Sequence, residues 1–488
     1  MSNYLQMSKD ELNAEFKAAK AEYEQLRALH LTLDMSRGKP GGDNMDLSEK
    51  MFDLVGNDTG FKNIDGIDCR NYGGLDGLCE LKNLFGEVLG LQPDQIIVGG
   101  NSSLNMMFDT IAQAMTHGLG GEPWGKQEGL KFLCPAPGYD RHFAITEYFG
   151  FKLIPVKLNA DGPDMDEVEE LVKDEKVKGI WCVPKYANPE GITYSDEVVR
   201  RFAALKPAAK DFKIFWDNAY CIHDLYDEGD KLLNIYDECV KAGNPDLPII
   251  FASTSKISFP GAGVAVAAGS HNNVAILKSR MKFQTIGPDK LNQLRHARMF
   301  ESAKDLYKHM KKHADIIRPK FESVLTELDA RIKDTGIAHW TNPKGGYFIS
   351  LYVLPGCAKR VEQLCANAGL ILTPAGAAYP YGIDPDDSNL RIAPTYPSAE
   401  EIKTAAVILC AAVKVAALEK AGFPQKLVHY EQVAMDGEIK GVSADAMTVI
   451  KLEAPNGAVV TCRGLHTSTA QANIIALFNG LNLIEQQK

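Results

Sequence analysis

Seven short apolar runs between residues 95 and 270 constrain the fold of this chain more than any other feature of its sequence. Their length and composition indicate strands, and stretches with helical periodicity separate most of them. Strands that alternate with helices predict an α/β fold around a mainly parallel sheet. Such sheets bind ligands in the loops at the carboxyl ends of their strands, where the polar clusters of this sequence fall. The runs are Ile96–Val98, Phe132–Cys134, Leu153–Val156, Ile180–Val183, Ile214–Trp216, Ile249–Phe251 and Val264–Ala268.

The length of 488 residues exceeds that of one ordinary domain. We predict an N-terminal arm (1–50) that packs on a small domain, and a large domain (51–320). The smaller αβ domain (321–425) and an appended small αβ module (426–488) follow. Apolar residues make up 45% of the chain and charged residues 24%, which is the balance of a globular protein.

Charge and hydropathy exclude several classes of protein. A net charge of −10 argues against a protein that coats nucleic acid. The sequence has no run of about 20 apolar residues, so we expect no membrane-spanning helix. The mixed-charge N-terminus does not look like a signal peptide, which favours the cytoplasm. Ten cysteines without a C-x-x-C pair indicate neither a disulfide framework nor a metal site.

Two strand ends carry residues with distinctive chemistry. Lys256 follows a buried-looking strand, where a lysine is usually a surface residue but can also be an amine that forms a Schiff base. Asp217 ends another strand, and Tyr220 lies three residues further on. The carboxylate could cap the next turn, or it could face a protonated pyridine nitrogen, with the tyrosine hydroxyl nearby.

Further polar residues lie at other element ends, and each permits two interpretations. Ser102 and Ser103 open a helix, either as an ordinary cap or as an anion site. Asn188 belongs to a turn that could also present its amide to a ligand. Tyr139 could pack in a core or stack on a flat ring. Arg391 lies in a short apolar strand and needs a carboxylate, from the protein or from a ligand.

In their order along the chain, these motifs resemble the class I/II aminotransferases of pyridoxal 5'-phosphate (PLP) fold type I, across about residues 30–420. Two stretches, Met35–Pro40 and Lys256–Gly263, look like the bacterial aspartate aminotransferase subgroup Ic. The motifs are Gly-Lys-Pro at 38–40, Asn-Tyr-Gly-Gly at 71–74, Gly-Asn-Ser-Ser at 100–103, Pro-Gly-Tyr at 137–139, Asn-Pro-Glu-Gly at 188–191, Asp-Asn-Ala-Tyr at 217–220, Ser-Thr-Ser-Lys at 253–256 and Leu-Arg-Ile at 390–392.

The resemblance implies PLP as the cofactor, no metal, and a PLP-binding large domain. Lys256 would carry PLP as a Schiff base and act as general base, while Asp217 would keep the pyridine nitrogen protonated. Tyr220 would bind the phenolic oxygen with Asn188. The other residues that the resemblance assigns to the cofactor are Tyr139 on the ring, Asn101, Ser102, Ser103, Ser253 and Ser255 at the phosphate, and Tyr72 at the phosphate of a neighbouring subunit.

For the substrate, the resemblance implies that Arg391 holds the α-carboxylate with help from Gly38 and Asn188. The expected reaction is transamination of aspartate or glutamate, with 2-oxoglutarate or oxaloacetate as the 2-oxo acid, in a homodimer with shared active sites. A PLP-dependent lyase or decarboxylase and a non-catalytic PLP-binding regulator are the alternatives. A nicotinamide enzyme is disfavoured because Gly261-Ala262-Gly263 continues without the third glycine of that fingerprint.

Three points stay open in the sequence. Residues 261–264 lack the arginine with which many members of the family hold the phosphate. The cation for a distal substrate carboxylate could be Arg37, Lys39, Arg141 or Lys185. The tail, through Gly464–Thr469 with Ala472 and Ala476, resembles the end of the isopropylmalate synthase regulatory domain; a small dimerisation module is the favoured alternative to an effector site.

Overall fold

The computed structural model describes residues 3–422, 426–434, 446–453, 459–466, 475–476 and 479. The chain forms two compact units. The first comprises residues 1–5 and 22–413, and the second comprises residues 6–21 and 414–488. Within the described residues, no helix is both long and apolar enough to cross a membrane.

Side-chain caps fix where several helices begin. Ser195, Ser270, Asp289 and Ser302 each accept a hydrogen bond from a backbone N–H of the first helical turn. The helices are α1 Lys9–Arg27, α2 Gly42–Asp46, α3 Cys79–Leu89, α4 Ser103–His117, α5 Asp140–Tyr148, α6 Met165–Leu171, α7 Asp196–Ala203, α8 Ile235–Lys241, α9 His271–Gln284, α10 Lys290–Met299, α11 Ala303–Ile332, α12 Ala358–Asn367 and α13 Ala399–Gly422.

The strands include all seven apolar runs that the sequence predicted, with bounds that differ by a few residues. They are β1 Leu33–Asp34, β2 Ile96–Val98, β3 Lys131–Ala136, β4 Lys152–Asn159, β5 Gly162–Pro163, β6 Val177–Cys182, β7 Lys213–Asp217, β8 Pro248–Ser253, β9 Ala265–Gly269, β10 Ala338–Trp340, β11 Ile349–Val353, β12 Leu370–Ile371, β13 Asn389–Ile392, β14 Lys426–Ala434, β15 Ala446–Glu453 and β16 Val459–His466.

The main sheet lies within residues 96–269, all of which the structure describes, and has the order β2-β9-β8-β7-β6-β3-β4-β5. The five strands from β8 to β4 run parallel, whereas β2, β9 and β5 join antiparallel. The prediction of a mainly parallel sheet is therefore confirmed. The strands β6, β7 and β8 are buried along their whole length, which explains why they appear in the sequence as continuous apolar runs.

Helices cover both faces of this sheet. Along β7, Ile214 and Trp216 pack into one core cluster and Phe215 packs into the other, because successive side chains point to opposite faces. The carboxyl ends of β3, β6, β7 and β8 are consequently neighbours at one edge. Asp217 is the last residue of β7, and the loops after β3, β6 and β8 carry Tyr139, Asn188 and Lys256.

A second, antiparallel sheet in the first unit has the order β10-β11-β13. It places Arg391 opposite Ser350 and leaves the arginine side chain 9% exposed. Nearby, β1 pairs in parallel with β12. The hydroxyl of Thr373, just after β12, donates to the carbonyl of Ser36 at 2.6 Å. These contacts fix the segment that leads into Gly38.

The second unit contains an antiparallel sheet of order β14-β15-β16. Buried residues alternate with exposed ones along β15 and β16, so one face forms a small core with Ala476. Of the predicted tail motif, Thr467–Thr469 and Ala472 lie outside the described residues. Its regulatory and dimerising interpretations, and the predicted division into four segments, stay predictions.

Buried histidines are a further feature of the first unit. His296 on α10 lies 2.8 Å from Ser258 Oγ, and His313 on α11 lies 3.0 Å from His309. Burial lowers the pKa of His296 and of His313 to about 4, with Arg295 adding to the effect on His296 and His309 to that on His313. The negative charge of Asp43 opposes the shift at His313. Both imidazoles are neutral in the folded protein at neutral pH.

We expect these two histidines to make the protein sensitive to acid. The unfolded chain binds their protons near pH 6.5, above the pKa of the folded state, so their stabilisation is complete above that pH and is lost as the pH falls towards 4. Each contributes roughly 3 kcal/mol. Denaturant unfolding near neutral pH and at about pH 4 should show a smaller loss in His296→Gln and His313→Gln than in the wild type. An unchanged loss in both variants would contradict the prediction.

Candidate active site

A cavity of about 760 Å³ opens at the carboxyl edge of the parallel strands. It gathers side chains that are far apart in the sequence, from the loops after β3, β6, β7 and β8 and from β13. Two residues predicted for the site, Asn101 and Tyr72, do not line it. The predicted residues that do line it are Gly38, Ser102, Ser103, Tyr139, Asn188, Asp217, Tyr220, Ser253, Ser255, Lys256 and Arg391.

Lys256 follows β8 and presents its amine to the cavity. Burial lowers the pKa of this amine, and the negative charge of Asp217 partly opposes that shift. Its Nζ lies 5.0 Å from the centre of the Tyr220 ring. The hydroxyl of Tyr347 donates to the Lys256 carbonyl at 3.3 Å, which fixes the backbone of the lysine. A desolvated amine whose backbone is fixed by a hydrogen bond is suited to act as nucleophile and base.

Asp217 ends β7 and is only 3% exposed. Its Oδ2 accepts a hydrogen bond from His142 Nε2 at 2.9 Å. Its Oδ1 is buried and has no hydrogen-bond partner among the described residues. A buried carboxylate oxygen without a donor is costly, so this atom suits a ligand that brings an N–H group, above all a cationic one.

His142 was not predicted from the sequence. It lies on α5, three residues after Tyr139, and its ring stacks on Trp181 with centroids 4.5 Å apart and planes at 13°. The Tyr139 ring meets it edge-on at 4.8 Å. The available signal was its position in the first turn of the helix that directly follows Tyr139. Packing on two rings holds the imidazole, and through it the carboxylate of Asp217.

The start of α4 offers an anion site. Ser102 precedes the helix, and its hydroxyl makes no capping hydrogen bond with the described first turn, which leaves backbone N–H groups available. Ser253 Oγ donates to Ser255 Oγ at 3.0 Å, and Ser255 Oγ donates to the Asn101 carbonyl at 3.4 Å. Asn101 contacts this serine pair through its backbone carbonyl, and its side-chain amide donates to the Gly261 carbonyl at 3.3 Å. Hydroxyl and N–H donors therefore lie together at the start of α4. These donors are available for an anion, although residues 261–264 lack the phosphate-binding arginine of the resembled family.

Arg391 points from β13 into the cavity and has protein partners there. Its Nη1 lies 2.8 Å from Asp140 Oδ1 and 3.4 Å from Asn188 Oδ1, and its Nε donates to Thr373 Oγ1 at 3.3 Å. The two interpretations of this arginine are therefore compatible. It forms an ion pair with Asp140, and it lines the cavity where a ligand carboxylate would replace that partner.

The structure separates the four cations proposed for a distal carboxylate. Lys185 does not line the cavity, because its Nζ pairs with Asp224 at 2.8 Å and donates to the Cys221 carbonyl. Lys39 does line it, but its Nζ lies 3.6 Å from the centre of the Tyr396 ring. Arg37 and Arg141 line the cavity, and within residues 3–422 neither forms an ion pair.

Two glycine-containing loops differ in their position relative to the cavity. The loop of Gly38 lines it, whereas the loop of Tyr72 does not. At Gly38, a Cβ atom would lie 2.3 Å from the ring of Phe348, so only glycine lets this loop approach the cavity wall. The Tyr72 side chain is 81% exposed. Its loop is held by Lys290, whose Nζ donates to the Gly73 carbonyl at 2.7 Å. Tyr72 is thus presented outward from a fixed loop.

The comparisons with known proteins agree on one family for this chain. The aspartate amino-transferase family model matches residues 7–425. An aspartate aminotransferase from Corynebacterium glutamicum is 45% identical over 402 residues, which are 82% of this chain and 93% of that protein. The crystal structure of an aspartate transaminase from the same species superimposes with a TM-score of 0.83 and 43% identity, covering 86% of this chain and 99% of that one.

Proposed function

This chain belongs to the aspartate aminotransferase family, and from that premise we propose that it transfers the amino group of aspartate or glutamate to a 2-oxo acid with PLP as bound cofactor. One observation carries the proposal. Lys256 and Asp217 line the same cavity, and Oδ1 of Asp217 is buried with no hydrogen-bond partner among the described residues. An amine that can attach an aldehyde and an anion that can hold a pyridinium proton are the two groups that PLP requires.

The remaining residues of the cavity fit the cofactor. Tyr139 supplies a ring face, Tyr220 and Asn188 supply donors for a phenolic oxygen, and the start of α4 supplies N–H groups for a phosphate. When bound, PLP withdraws electrons from the bonds at the substrate Cα and so makes its proton removable.

The protein groups would divide the proton transfers between them. Lys256 Nζ takes the proton from the substrate Cα, because burial favours its neutral, basic form. The Asp217 carboxylate keeps a proton on the ring nitrogen, and His142 orients that carboxylate. Arg391 would bind the α-carboxylate, as a guanidinium suits a carboxylate in bidentate fashion.

We also propose a homodimer in which Tyr72 reaches the phosphate of the other subunit. Large apolar side chains are exposed in two segments: Ile64 at 74% and Tyr72 at 81% in one, and Phe283 at 94% and Ile286 at 64% in the other. The segments approach each other through Gly287, where a Cβ would lie 2.5 Å from the Gly73 carbonyl. A second copy that covers this surface would bury these side chains.

An absorbance titration tests the proposed function. Purified protein supplied with PLP should develop the band of a lysine-bound cofactor. Adding aspartate or glutamate should replace it with the band of the aminated cofactor, and 2-oxoglutarate should restore it. One equivalent of 2-oxo acid should appear per site together with the aminated cofactor, whereas a decarboxylase would release CO2 and a lyase would turn over repeatedly without aminating the cofactor. The absence of a protein-bound chromophore after addition of PLP and removal of the unbound excess would refute the proposal.

A further inference from the structure

A buried histidine that the proposed mechanism does not use contacts the loop that carries Lys256. His309 on α11 is 5% exposed, and its Nε2 lies 2.9 Å from the carbonyl oxygen of Ile257. On the preceding residue, Tyr347 donates to the Lys256 carbonyl. The carbonyl of the lysine and that of the next residue therefore each receive a donor, and the donors come from different parts of the fold.

The hydrogen-bond partners determine the tautomers of a histidine pair. A carbonyl only accepts, so His309 must carry its proton on Nε2. His313 Nε2, 3.0 Å away, must then be an acceptor, and its Nδ1 carries the proton. That N–H faces the side-chain amide of Asn44 at 3.1 Å. Rotating this amide by half a turn gives the N–H an acceptor and also satisfies Asn44 Oδ1, which otherwise has no hydrogen-bond partner in the part of the chain that the structure describes.

The same pair connects the lysine loop to the N-terminal segment that includes Gly38. Asn44 lies on α2, four residues after the Gly38–Pro40 motif ends, and it contacts His313. Ser48 Oγ lies 3.3 Å from His309 Nε2 and 3.5 Å from the Ile257 carbonyl. Both residues are fully buried. A continuous line of contacts thus runs from residues 44–48 through the two imidazoles to the residue after Lys256.

We propose that His309, oriented by His313, is a positioning residue for Lys256. It fixes the Ile257 carbonyl and with it the position of Lys256 Nζ, and it ties the lysine loop to the segment that carries the substrate-side Gly38. This assignment rests on the proposed PLP-dependent function. Reacting groups must be held within about 0.5 Å of the productive geometry, so a small displacement of Nζ slows proton transfer without emptying the cavity.

The test compares His309→Leu, which removes the donor, with His309→Gln, which keeps an N–H donor. We expect His309→Leu to lower kcat roughly 10- to 100-fold with little change in KM for aspartate. The pH midpoint of the absorbance of bound PLP should shift by roughly 0.5–1 unit, because Nζ moves relative to Asp217 and Tyr220. His309→Gln should restore most of both properties. A wild-type kcat and an unchanged midpoint in His309→Leu would overturn the assignment.

Two further variants separate positioning from loss of stability. Val168→Ala creates a small cavity in the core on α6, away from the site, and should lower the unfolding midpoint while leaving kcat and the absorbance midpoint unchanged. If His309→Leu does not fold, the same measurement is made on Asn44→Ala. It should shift the absorbance midpoint from that of the wild type by less than the roughly 0.5–1 unit expected for His309→Leu, and no shift would overturn the assignment. A wild-type protein that forms no PLP chromophore would refute the proposed function instead.

Discussion

Lys256→Ala should lower kcat by at least about 10⁴-fold and leave the fold intact. The substitution removes two functions together: the covalent attachment of PLP and the amine that moves the Cα proton. General base catalysis alone typically accounts for 10²–10⁴-fold. The fold should tolerate the change, because the lysine lies on a loop beside a cavity and its burial already works against its charged form.

Steady-state kinetics with aspartate and 2-oxoglutarate would measure this loss, and thermal unfolding would show that the fold persists. Lys256→Arg is the informative companion, because it keeps a cation of similar length that neither attaches PLP nor accepts a proton at neutral pH. Both variants should be inactive. The exposed Lys206→Ala serves as a lysine-to-alanine control with wild-type kcat. Activity of Lys256→Ala within tenfold of the wild type would contradict the assignment of Lys256.

The strands of the main sheet were predictable because burial on both faces requires uninterrupted apolar residues. The runs Ile180–Val183 and Ile214–Trp216 correspond to β6 and β7, which are buried throughout. The sequence did not reveal β5, since two residues are too few to show a pattern. Nor did it reveal that β9 is antiparallel, because strand direction depends on pairing with distant residues rather than on local composition.

Within the site, residues were predictable where a strand end and a motif coincide, as at Asp217 and Lys256. The partners of such residues were not. His142 contacts Asp217 across 75 positions, and Asp140 contacts Arg391 across 251. From the sequence, Lys185 was a candidate for binding a substrate carboxylate. In the structure its Nζ forms an ion pair with Asp224. Contacts of this kind depend on tertiary structure, which periodicity and motif spacing do not specify.

Asp217→Asn should keep PLP bound through Lys256 and still lower kcat by roughly 10²–10⁴-fold. Asparagine has nearly the same shape and can still accept a hydrogen bond from His142, so the site should remain assembled. It cannot, however, hold a proton on the ring nitrogen, because it is neutral and its amide nitrogen would present a second donor to that N–H. The bound cofactor then withdraws electrons less strongly, and the substrate Cα proton becomes harder to remove.

The charge of Asp217 can be separated from its shape by changing the cofactor instead of the protein. A PLP analogue methylated at the ring nitrogen carries a permanent positive charge and needs no carboxylate to maintain it. With this analogue, Asp217→Asn should approach the wild type in a single-turnover reaction with glutamate. His142→Phe retains the carboxylate and loses one of its hydrogen bonds, so its kcat should fall only about tenfold with PLP. An equal loss in the two variants, or no gain from the methylated cofactor, would show that Asp217 acts through packing rather than through its charge.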